Sequence, residues 1–363
     1  MRTLRRLAIT TLAALSCAQV CVASDGVSKS PDDTAILDVR SGMTRYDWSW
    51  LAASFDENQN GVVEKAELPV APEDFAKLDR NWDLELTEAD FDWSLESPLT
   101  RQKETVFALF KSADTNSDGR MQAEELQAVF TKQAGEKGYL NEEELEQLIY
   151  VPKVLKARAE AKNRHLHVDF LEDDDGRLPS NLPAPCAVAP DFELQNPDNS
   201  QKIRLSSFRG KQPVVLVFGC LTCGNYRTYS ETLEKMYLDR KADVQFLRVY
   251  VREAHPVNDR GVSETNKKAG ILIRQPKTIE ERCDVAGRCA VDLNLQTPMV
   301  VDGIDNAVGR AYGGWPDRLY IIDVDGNVVY QGGPGPFAFN PKEMEQSLIL
   351  TLLDQRQRSQ KSE

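Results

Sequence analysis

A cysteine at the end of a buried strand constrains the fold of this chain more than any other feature. Val214–Phe218 is a run of β-forming apolar residues, Gly219 ends it, and Asn225–Arg240 has a helical pattern. So short a solid apolar run is typical of a strand covered on both faces. Cys223 therefore falls at a strand-to-helix turn, where the helix N-terminus favours thiolate over thiol. The pattern indicates a redox or nucleophilic site, with a buried structural cysteine as the alternative.

The first residues indicate export. Residues 1–23 combine basic residues, an apolar stretch and a small-residue box before Ser24, which is typical of a secretory signal. The stretch is too short to span a bilayer and no later segment reaches that length, so we expect a periplasmic or secreted protein without a membrane span or lipid anchor. The remaining cysteines are Cys186, Cys220, Cys223, Cys283 and Cys289. This odd number implies at least one unpaired thiol in an oxidising compartment.

Acidic residues dominate the first half of the chain. The formal net charge is −13, and the acids concentrate before residue 185. Such a surface repels nucleic acid and anionic lipid, so no nucleic-acid partner is expected. The clustering of acidic residues in this half indicates bound cations instead.

Two stretches, Asp56–Glu67 and Asp114–Glu125, match the twelve-residue EF-hand calcium loop. Each has oxygen ligands at alternating positions, a central turn glycine and a final glutamate. The predicted ligands are Asp56, Asn58, Asn60, Val62 (by its carbonyl), Glu64, Glu67, Asp114, Asn116, Asp118, Arg120 (by its carbonyl), Gln122 (through water) and Glu125. A solvated acidic turn is the alternative for each loop.

A third stretch, Asp79–Asp90, is a degenerate copy in which Leu84 replaces the turn glycine. Its weaker candidate ligands are Asp79, Asn81, Asp83, Glu85 and Asp90. Weak binding and no binding both stay open. A remnant at Asp173–Leu178 is not expected to bind. Together these loops resemble the EF-hand superfamily, which implies an all-α domain of helix–loop–helix units and calcium as a structural or regulatory cofactor.

The second half alternates strands with helices. A strand near 203–205 precedes the strand and helix around Cys223, and further strands are predicted at 244–251, 298–301, 318–323 and 327–331 before a final helix at 341–353. This order predicts an α/β domain with a central mixed sheet and helices on both faces. The predicted organisation is a signal at 1–23, a linker at 24–43, an EF-hand domain at 44–181, a Pro-rich hinge at 182–185, a thioredoxin-like domain at 186–356 and a polar tail at 357–363.

Three blocks of the second half resemble the iodothyronine deiodinase family. They are VFGCLTCGNYR (217–227), VYVREAHPVND (249–259) and RLYIIDVDGNVVYQGGPGPFAFNPKEM (318–344), with a fainter match at 275–286. The resemblance implies a thioredoxin-like fold and a redox site. The family carries selenocysteine at the position of Cys223, its preceding cysteine falls at Leu221 and its second histidine falls at Pro276.

Catalytic roles follow for five residues. Cys223 is the predicted nucleophile and Cys220 its resolving partner. His255, the only imidazole in this half, would hold the thiolate or carry a proton, with a surface histidine as the alternative. Glu253 would orient His255 or be a solvated carboxylate. Thr222 would hydrogen-bond the sulfur or be a satisfied turn hydroxyl.

The other cysteines leave alternatives open. The spacing of Cys283 and Cys289 predicts a structural disulfide, and the alternative is that they form a second resolving pair. Cys186 is predicted to be structural or free. The resemblance in fold further predicts a cis-proline at Trp315-Pro316, beside the active cysteine.

Three functions are compatible with these patterns. The first is a thiol oxidoreductase that reduces a disulfide, a peroxide or an organic electrophile, with a thiol or disulfide electron donor and no organic cofactor. The second, implied by the resemblance, is reductive deiodination of iodinated phenols. The third is a calcium-dependent binding or scaffold protein with a vestigial redox domain.

Overall fold

The computed structural model describes residues 42–94, 96–116, 120–149, 181–259, 261–335 and 338–362, which belong to one compact unit, residues 39–363. The predicted signal, the Asp173–Leu178 remnant and the candidate ligand Asp118 lie outside the described residues. Within these ranges no helix combines the length and apolarity that crossing a bilayer requires.

The N-terminal part contains six helices and three very short strands among its described residues. They are β1 (Met43–Thr44), α1 (Trp48–Phe55), β2 (Val63–Glu64), α2 (Pro72–Leu78), β3 (Glu85–Leu86), α3 (Glu88–Phe91), α4 (Pro98–Ala113), α5 (Ala123–Ala134) and α6 (Glu142–Ile149). Strands β2 and β3 pair antiparallel and connect the loop before α2 with the loop after it. The prediction of an all-α domain is therefore corrected, because these strands form there and β1 joins the sheet of the C-terminal part.

The C-terminal part is built on a mixed sheet. Its elements are β4 (Glu193–Gln195), β5 (Lys202–Arg204), β6 (Val214–Gly219), α7 (Gly224–Arg240), β7 (Gln245–Tyr250), α8 (Glu264–Lys268), α9 (Ile279–Asp292), β8 (Met299–Val301), α10 (Ala307–Tyr312), β9 (Arg318–Ile322), β10 (Val328–Gln331) and α11 (Pro341–Ser362). The strand order is β1-β10-β9-β6-β7-β8-β4-β5. Every strand predicted from the second half is present.

Strand β6 lies in the interior of this sheet and is buried along its whole length. It pairs parallel with β7 on one side and antiparallel with β9 on the other. The unit β6-α7-β7, followed by the hairpin β9-β10 and the helix α11, is a thioredoxin-like arrangement and confirms the predicted fold of this region. Because α7 follows β6 directly, the turn between them opens at the end of the sheet, which is where α/β folds place their functional sites.

Alternate residues of the strands point to opposite faces, and each face has its own hydrophobic cluster. One cluster contains Leu216 and Phe218 of β6 with Tyr312 and Tyr320. The other contains Val215 and Val217 and extends through α7, α9 and α11 into the N-terminal helices. Cys223 belongs to the second cluster.

The N-terminal elements pack against the C-terminal domain through that second cluster and through polar contacts. Asp74 of α2 pairs with Arg240 at the end of α7, and Lys77 of α2 pairs with Glu345 of α11. Trp93 Nε1 donates to Gln346 Oε1 at 2.8 Å. The predicted domain boundary at 182–185 stays a prediction, and these contacts show that the two sides of it share buried surface.

Candidate functional site

The turn between β6 and α7 holds both cysteines of the predicted redox pair. Cys223 lies at the strand-to-helix turn, as predicted, and is the N-cap residue of α7. Its backbone N–H donates to the Cys220 carbonyl at 3.1 Å. This hydrogen bond closes a β-turn from Cys220 to Cys223. Glycine at position 219 leaves room for the Tyr226 ring, because a Cβ there would lie 2.0 Å from Cδ2 of that ring.

The Cys223 thiol faces a carboxyl group that is not among the predicted site residues. Cys223 Sγ donates to Asp317 Oδ2 at 2.7 Å. Asp317 has 0 % relative exposure and Cys223 only 5 %. Asp317 follows Trp315-Pro316, whose peptide bond is cis as predicted. That dipeptide was expected beside the active cysteine, so its immediate neighbour was a signal for Asp317.

Burial and charge set the protonation of this pair. Burial, and then the neighbouring Asp317 charge, raise the pKa of the Cys223 thiol well above its usual value, although the backbone N–H of Tyr226 favours the thiolate. The predicted lowering of the Cys223 pKa by the helix N-terminus is therefore wrong, because desolvation outweighs it. Burial also raises the pKa of Asp317 to about 6, against the opposing effects of the Cys223 hydrogen bond and Arg318. Near neutral pH, a protonated thiol thus faces an ionised carboxylate.

Glu253 anchors the turn from the other side. Its Oε2 accepts the Thr222 N–H at 3.0 Å and the Thr222 hydroxyl at 2.6 Å, and its Oε1 accepts the Tyr250 hydroxyl. The reading of Glu253 as a solvated carboxylate is wrong, since it is buried and burial raises its pKa. The tyrosine in turn accepts the Leu221 N–H at 3.0 Å. These bonds fix the backbone immediately before Cys223.

Thr222 connects the turn to the segment that carries the predicted histidine. Its Oγ1 accepts the backbone N–H of Ala254 at 3.0 Å and that of His255 at 3.1 Å. The sulfur that it contacts is that of Cys220, 3.6 Å from Oγ1. The backbone of His255 is therefore part of the site, whereas the role of its imidazole stays a prediction.

Cys220 is completely buried at the end of β6. Its Sγ accepts the Ala254 N–H at 3.3 Å. Burial, and then the Glu253 charge, raise the pKa of this thiol well above its usual value. Cys220 is thus a protonated thiol three residues from Cys223. A resolving cysteine is in this protonated form before it reacts.

A second clamp holds the carbonyl groups of the turn. Arg227 of α7 donates to the Leu221 carbonyl at 2.6 Å and to Asn266 Oδ1 at 2.8 Å. Asn266, in α8, donates to the Thr222 carbonyl at 2.9 Å. No local signal pointed to Asn266, because a single asparagine in a polar stretch has no distinguishing pattern.

The remaining cysteines belong to other segments of the chain. Cys283 and Cys289 are both free and buried on α9. The predicted disulfide between them is wrong, because six residues of a helix separate Cα atoms by about 9 Å along the axis, beyond disulfide reach. Cys186, left as structural or free, is disulfide-bonded.

In the predicted calcium loops, the carboxylates accept hydrogen bonds from backbone N–H groups of the same loop. Asp56 accepts the N–H groups of Asn60 at 3.1 Å and Gly61 at 3.0 Å, and Glu67 accepts those of Glu57 at 3.2 Å and Glu64 at 2.9 Å. Gly61 has φ +82°, the left-handed turn expected at this position.

The other two loops follow the same scheme. Glu125 accepts the N–H groups of Thr115 at 2.9 Å and Gln122 at 3.2 Å. In the degenerate loop Asp79 accepts the N–H groups of Trp82 and Leu84. Leu84 adopts φ +71° where the other loops have glycine, so this loop keeps the turn at a conformational cost. Over the described residues, no group of three or more His, Cys, Asp or Glu side chains forms a ready metal site.

Fold and site together define a class for the C-terminal part: a domain of thioredoxin-like fold with a paired-cysteine turn. Comparison with known proteins shows which family this part of the chain is similar to. A model of the iodothyronine deiodinase family matches residues 183–350. The C-terminal region of this chain is therefore similar to the iodothyronine deiodinase family over that range.

Individual relatives match the same region. Thyroxine 5-deiodinase of Ovis aries is 32 % identical over 157 residues, which are 43 % of this chain and 52 % of the relative. Thyroxine 5-deiodinase of Gallus gallus is 33 % identical over 168 residues, 46 % of this chain and 61 % of the relative. The chain spans about half the length of the first of these relatives.

A solved structure with similarity to the chain is a secreted Mycobacterium tuberculosis disulfide oxidoreductase homologous to E. coli DsbE. It is 14 % identical, with a TM-score of 0.32, over 44 % of this chain and 95 % of that chain.

Proposed function

We propose that this protein is a thiol oxidoreductase in which Cys223 attacks an electrophilic atom of its substrate and Cys220 resolves the adduct. The observation that carries the proposal is the 2.7 Å hydrogen bond from the Cys223 thiol to the Asp317 carboxylate. A thiol with a raised pKa is a poor nucleophile unless a base takes its proton during the attack. Asp317 is in contact with that proton and supplies the base.

The first step is the attack of Cys223 on a substrate X–Y. A bond forms between Sγ and X, the X–Y bond breaks, and the thiol proton passes to Asp317 and then to the leaving group Y. In the second step Cys220 attacks Cys223 Sγ, and X leaves with the Cys220 proton. The two thiols have then lost two electrons to the substrate and are joined as a disulfide. An external dithiol donor returns those electrons and regenerates the pair.

The turn geometry supports the resolving step. A turn closed by the hydrogen bond between the Cys223 N–H and the Cys220 carbonyl brings the two Cα atoms within about 7 Å. Disulfides join Cα atoms at about 4.4–6.8 Å, so the pair closes with little backbone movement. The sequence separation of three residues keeps the loop entropy of closure small.

Disulfide, peroxide and iodinated aromatic substrates all fit this scheme, with sulfur, oxygen or iodine as X. We place disulfide and peroxide first, because a thiol is less nucleophilic than a selenol and Pro276 replaces a family histidine. Reductive deiodination is the second candidate, favoured by the similarity to thyroxine 5-deiodinases. The calcium-dependent scaffold with a vestigial redox domain is the third.

Mass mapping of a single turnover tests the proposal. Fully reduced protein is mixed with one equivalent of hydrogen peroxide, hydroxyethyl disulfide or 3,5-diiodotyrosine, quenched with alkylating agent and digested. We expect a Cys220–Cys223 disulfide together with one equivalent of reduced product, and the fastest of the three reagents gives the substrate class. If the three reagents leave Cys220 and Cys223 as free thiols, the scaffold function becomes the better account.

We further propose that the protein is exported and binds calcium at the loops 56–67 and 114–125. The export proposal rests on the signal-like residues 1–23. The calcium proposal is supported by the inward-facing Asp56, Glu67 and Glu125 carboxylates and by the Gly61 turn. Binding would be in the range typical of extracellular modules, with a dissociation constant of about 10⁻⁴–10⁻³ M.

Removing the final carboxylate of both loops is expected to abolish most calcium binding. The variant Glu67→Gln/Glu125→Gln loses the two bidentate ligands, and isothermal titration with calcium measures the loss. The matched control is Glu73→Gln/Glu136→Gln, which removes two exposed carboxylates outside the loops and should bind as the native protein does. Undiminished heat in the first variant, or an equal loss in the control, would contradict loop binding.

A further inference from the structure

A glycine-rich segment runs from the end of β10 back across the site. Gly332, Gly333, Pro334 and Gly335 follow Gln331, and the Gly335 N–H donates to the Asp317 backbone carbonyl at 3.1 Å. This bond brings the segment against the residue that receives the Cys223 thiol.

Gly335 approaches the Asp317 side chain more closely than any other residue type can. A Cβ built on Gly335 would lie 1.5 Å from Asp317 Oδ1, 2.3 Å from Cγ and 2.7 Å from Oδ2. The first distance is that of a covalent bond, so only a hydrogen atom fits there. Gly335 is not among the glycines with positive φ, so its backbone conformation does not call for glycine. The close approach to the carboxyl group is the reason for glycine at this position.

The two oxygens of Asp317 are therefore held from opposite sides. Oδ2 receives the Cys223 thiol, and Oδ1 lies against the Cα hydrogen of Gly335. Among the described residues Oδ1 has no hydrogen-bond donor. Asp317 is fully buried, so solvent does not supply the donor that Oδ1 lacks.

We infer that Gly335 is a positioning residue for the Cys223–Asp317 pair: its missing side chain provides the space that lets Asp317 Oδ2 reach the thiol. The inference rests on the proposed role of Asp317 as proton acceptor. A larger residue at 335 displaces Oδ1, turns the carboxylate away from Sγ and leaves the thiol without its base. The poorly hydrogen-bonded Oδ1 also agrees with the raised pKa of Asp317, because a carboxylate that faces C–H groups is weakly stabilised.

The test is the pH dependence of the reaction of Cys223 with a small thiol reagent, methyl methanethiosulfonate, followed by peptide mapping. We expect Gly335→Ala to lower the second-order rate by about 10²-fold at pH 7, as for a misplaced catalytic group. In the native protein the rate should change near pH 6, where Asp317 titrates, and Gly335→Ala should remove this inflection. The control is Gly287→Ala on α9, whose added Cβ meets only Pro197 Cβ at 3.9 Å. This control should react as the native protein does.

A double-mutant cycle separates positioning from a general effect on folding. In an Asp317→Ala background the clash is gone, so Gly335→Ala should lower the rate little further. An equal loss in both backgrounds would overturn the inference, whereas an unchanged rate in Asp317→Ala alone would instead overturn the proposed role of Asp317.

If Gly335→Ala does not fold, the same set of variants is compared by thermal unfolding instead of by reaction rate. A double variant Gly335→Ala/Asp317→Ala that folds would then support the clash with Asp317. A double variant that is equally unfolded would overturn it.

Discussion

Substitution of Cys223 by serine is expected to abolish reduction of every substrate of this protein. A serine hydroxyl at this position keeps the hydrogen bond to Asp317 but is not ionised near neutral pH, and it forms no stable bond to sulfur, oxygen or iodine. Steady-state assays with dithiol donor and the fastest of the three single-turnover reagents measure the loss. The control is Cys283→Ser, a buried free cysteine on α9 whose Sγ accepts a hydrogen bond from Gln195 Nε2 at 3.3 Å. It should retain native activity.

Substitution of Cys220 separates the two chemical steps. Cys220→Ser leaves the attack by Cys223 intact and removes the resolving thiol, so one turnover should occur and an adduct should remain on Cys223. Intact-protein mass spectrometry detects this adduct as a mass increase that dithiothreitol removes. Native activity in Cys223→Ser, or continued turnover in Cys220→Ser without an adduct, would be incompatible with the proposed mechanism.

Asp317→Asn is expected to slow the attack by Cys223 by about 10²–10⁴-fold at pH 7, the usual contribution of a general base. Asparagine has nearly the same shape but does not accept the thiol proton. In the native protein the rate should fall as pH decreases through about 6, because Asp317 is then protonated. This inflection should be absent in the variant.

The difference between the two proteins should also shrink as pH rises. The Asp317 charge raises the pKa of Cys223, so its removal lets the thiol ionise at lower pH. Rates of methyl methanethiosulfonate modification between pH 5 and pH 10 measure both effects. An inflection near pH 6 that persists in Asp317→Asn would assign it to another group.

Folding stability provides a matched check on the same variant. The folded-state pKa of Asp317 is raised from 3.8 to about 6, so the protonated form stabilises the native state below pH 3.8 and this stabilisation is lost as pH rises through 6. Asp317→Asn removes the buried charge and should unfold at the same or a higher temperature than the native protein at pH 8. A loss of activity without a loss of stability excludes misfolding as its cause.

The strands of the C-terminal domain were predictable because their signals are local. The apolar run of β6, the glycine after it and the helical pattern of α7 together determine a strand, a turn and a helix, and they place Cys223 at the N-cap. The cis peptide bond before Pro316 followed from the resemblance in fold. The predicted strands at 318–323 and 327–331 agree with β9 and β10 because their apolar patterns are local as well.

The partners of the functional groups were not predictable in this way. Asp317 is 94 residues from Cys223 in sequence, and Thr222 is 31 residues from Glu253. The disulfide predicted for Cys283 and Cys289 failed because the two residues lie on one continuous helix. The disulfide prediction thus failed on local structure, whereas the two hydrogen-bonded pairs depend on how distant elements pack, which no local pattern describes.

By itself, the sequence determined the order of strands and helices, the position of Cys223 and Cys220 at one turn, and the acidic loops of the N-terminal part, since each depends on residues close together in the chain. Tertiary structure alone decided which carboxyl group accepts the hydrogen bond of the Cys223 thiol, how closely Gly335 approaches that carboxyl group, and in which direction the pKa of Cys223 moves. The physical reason is that desolvation and charge act through space. Burial at the packed end of the sheet outweighs the helix N-terminus, and that burial exists only once distant segments have closed around the thiol.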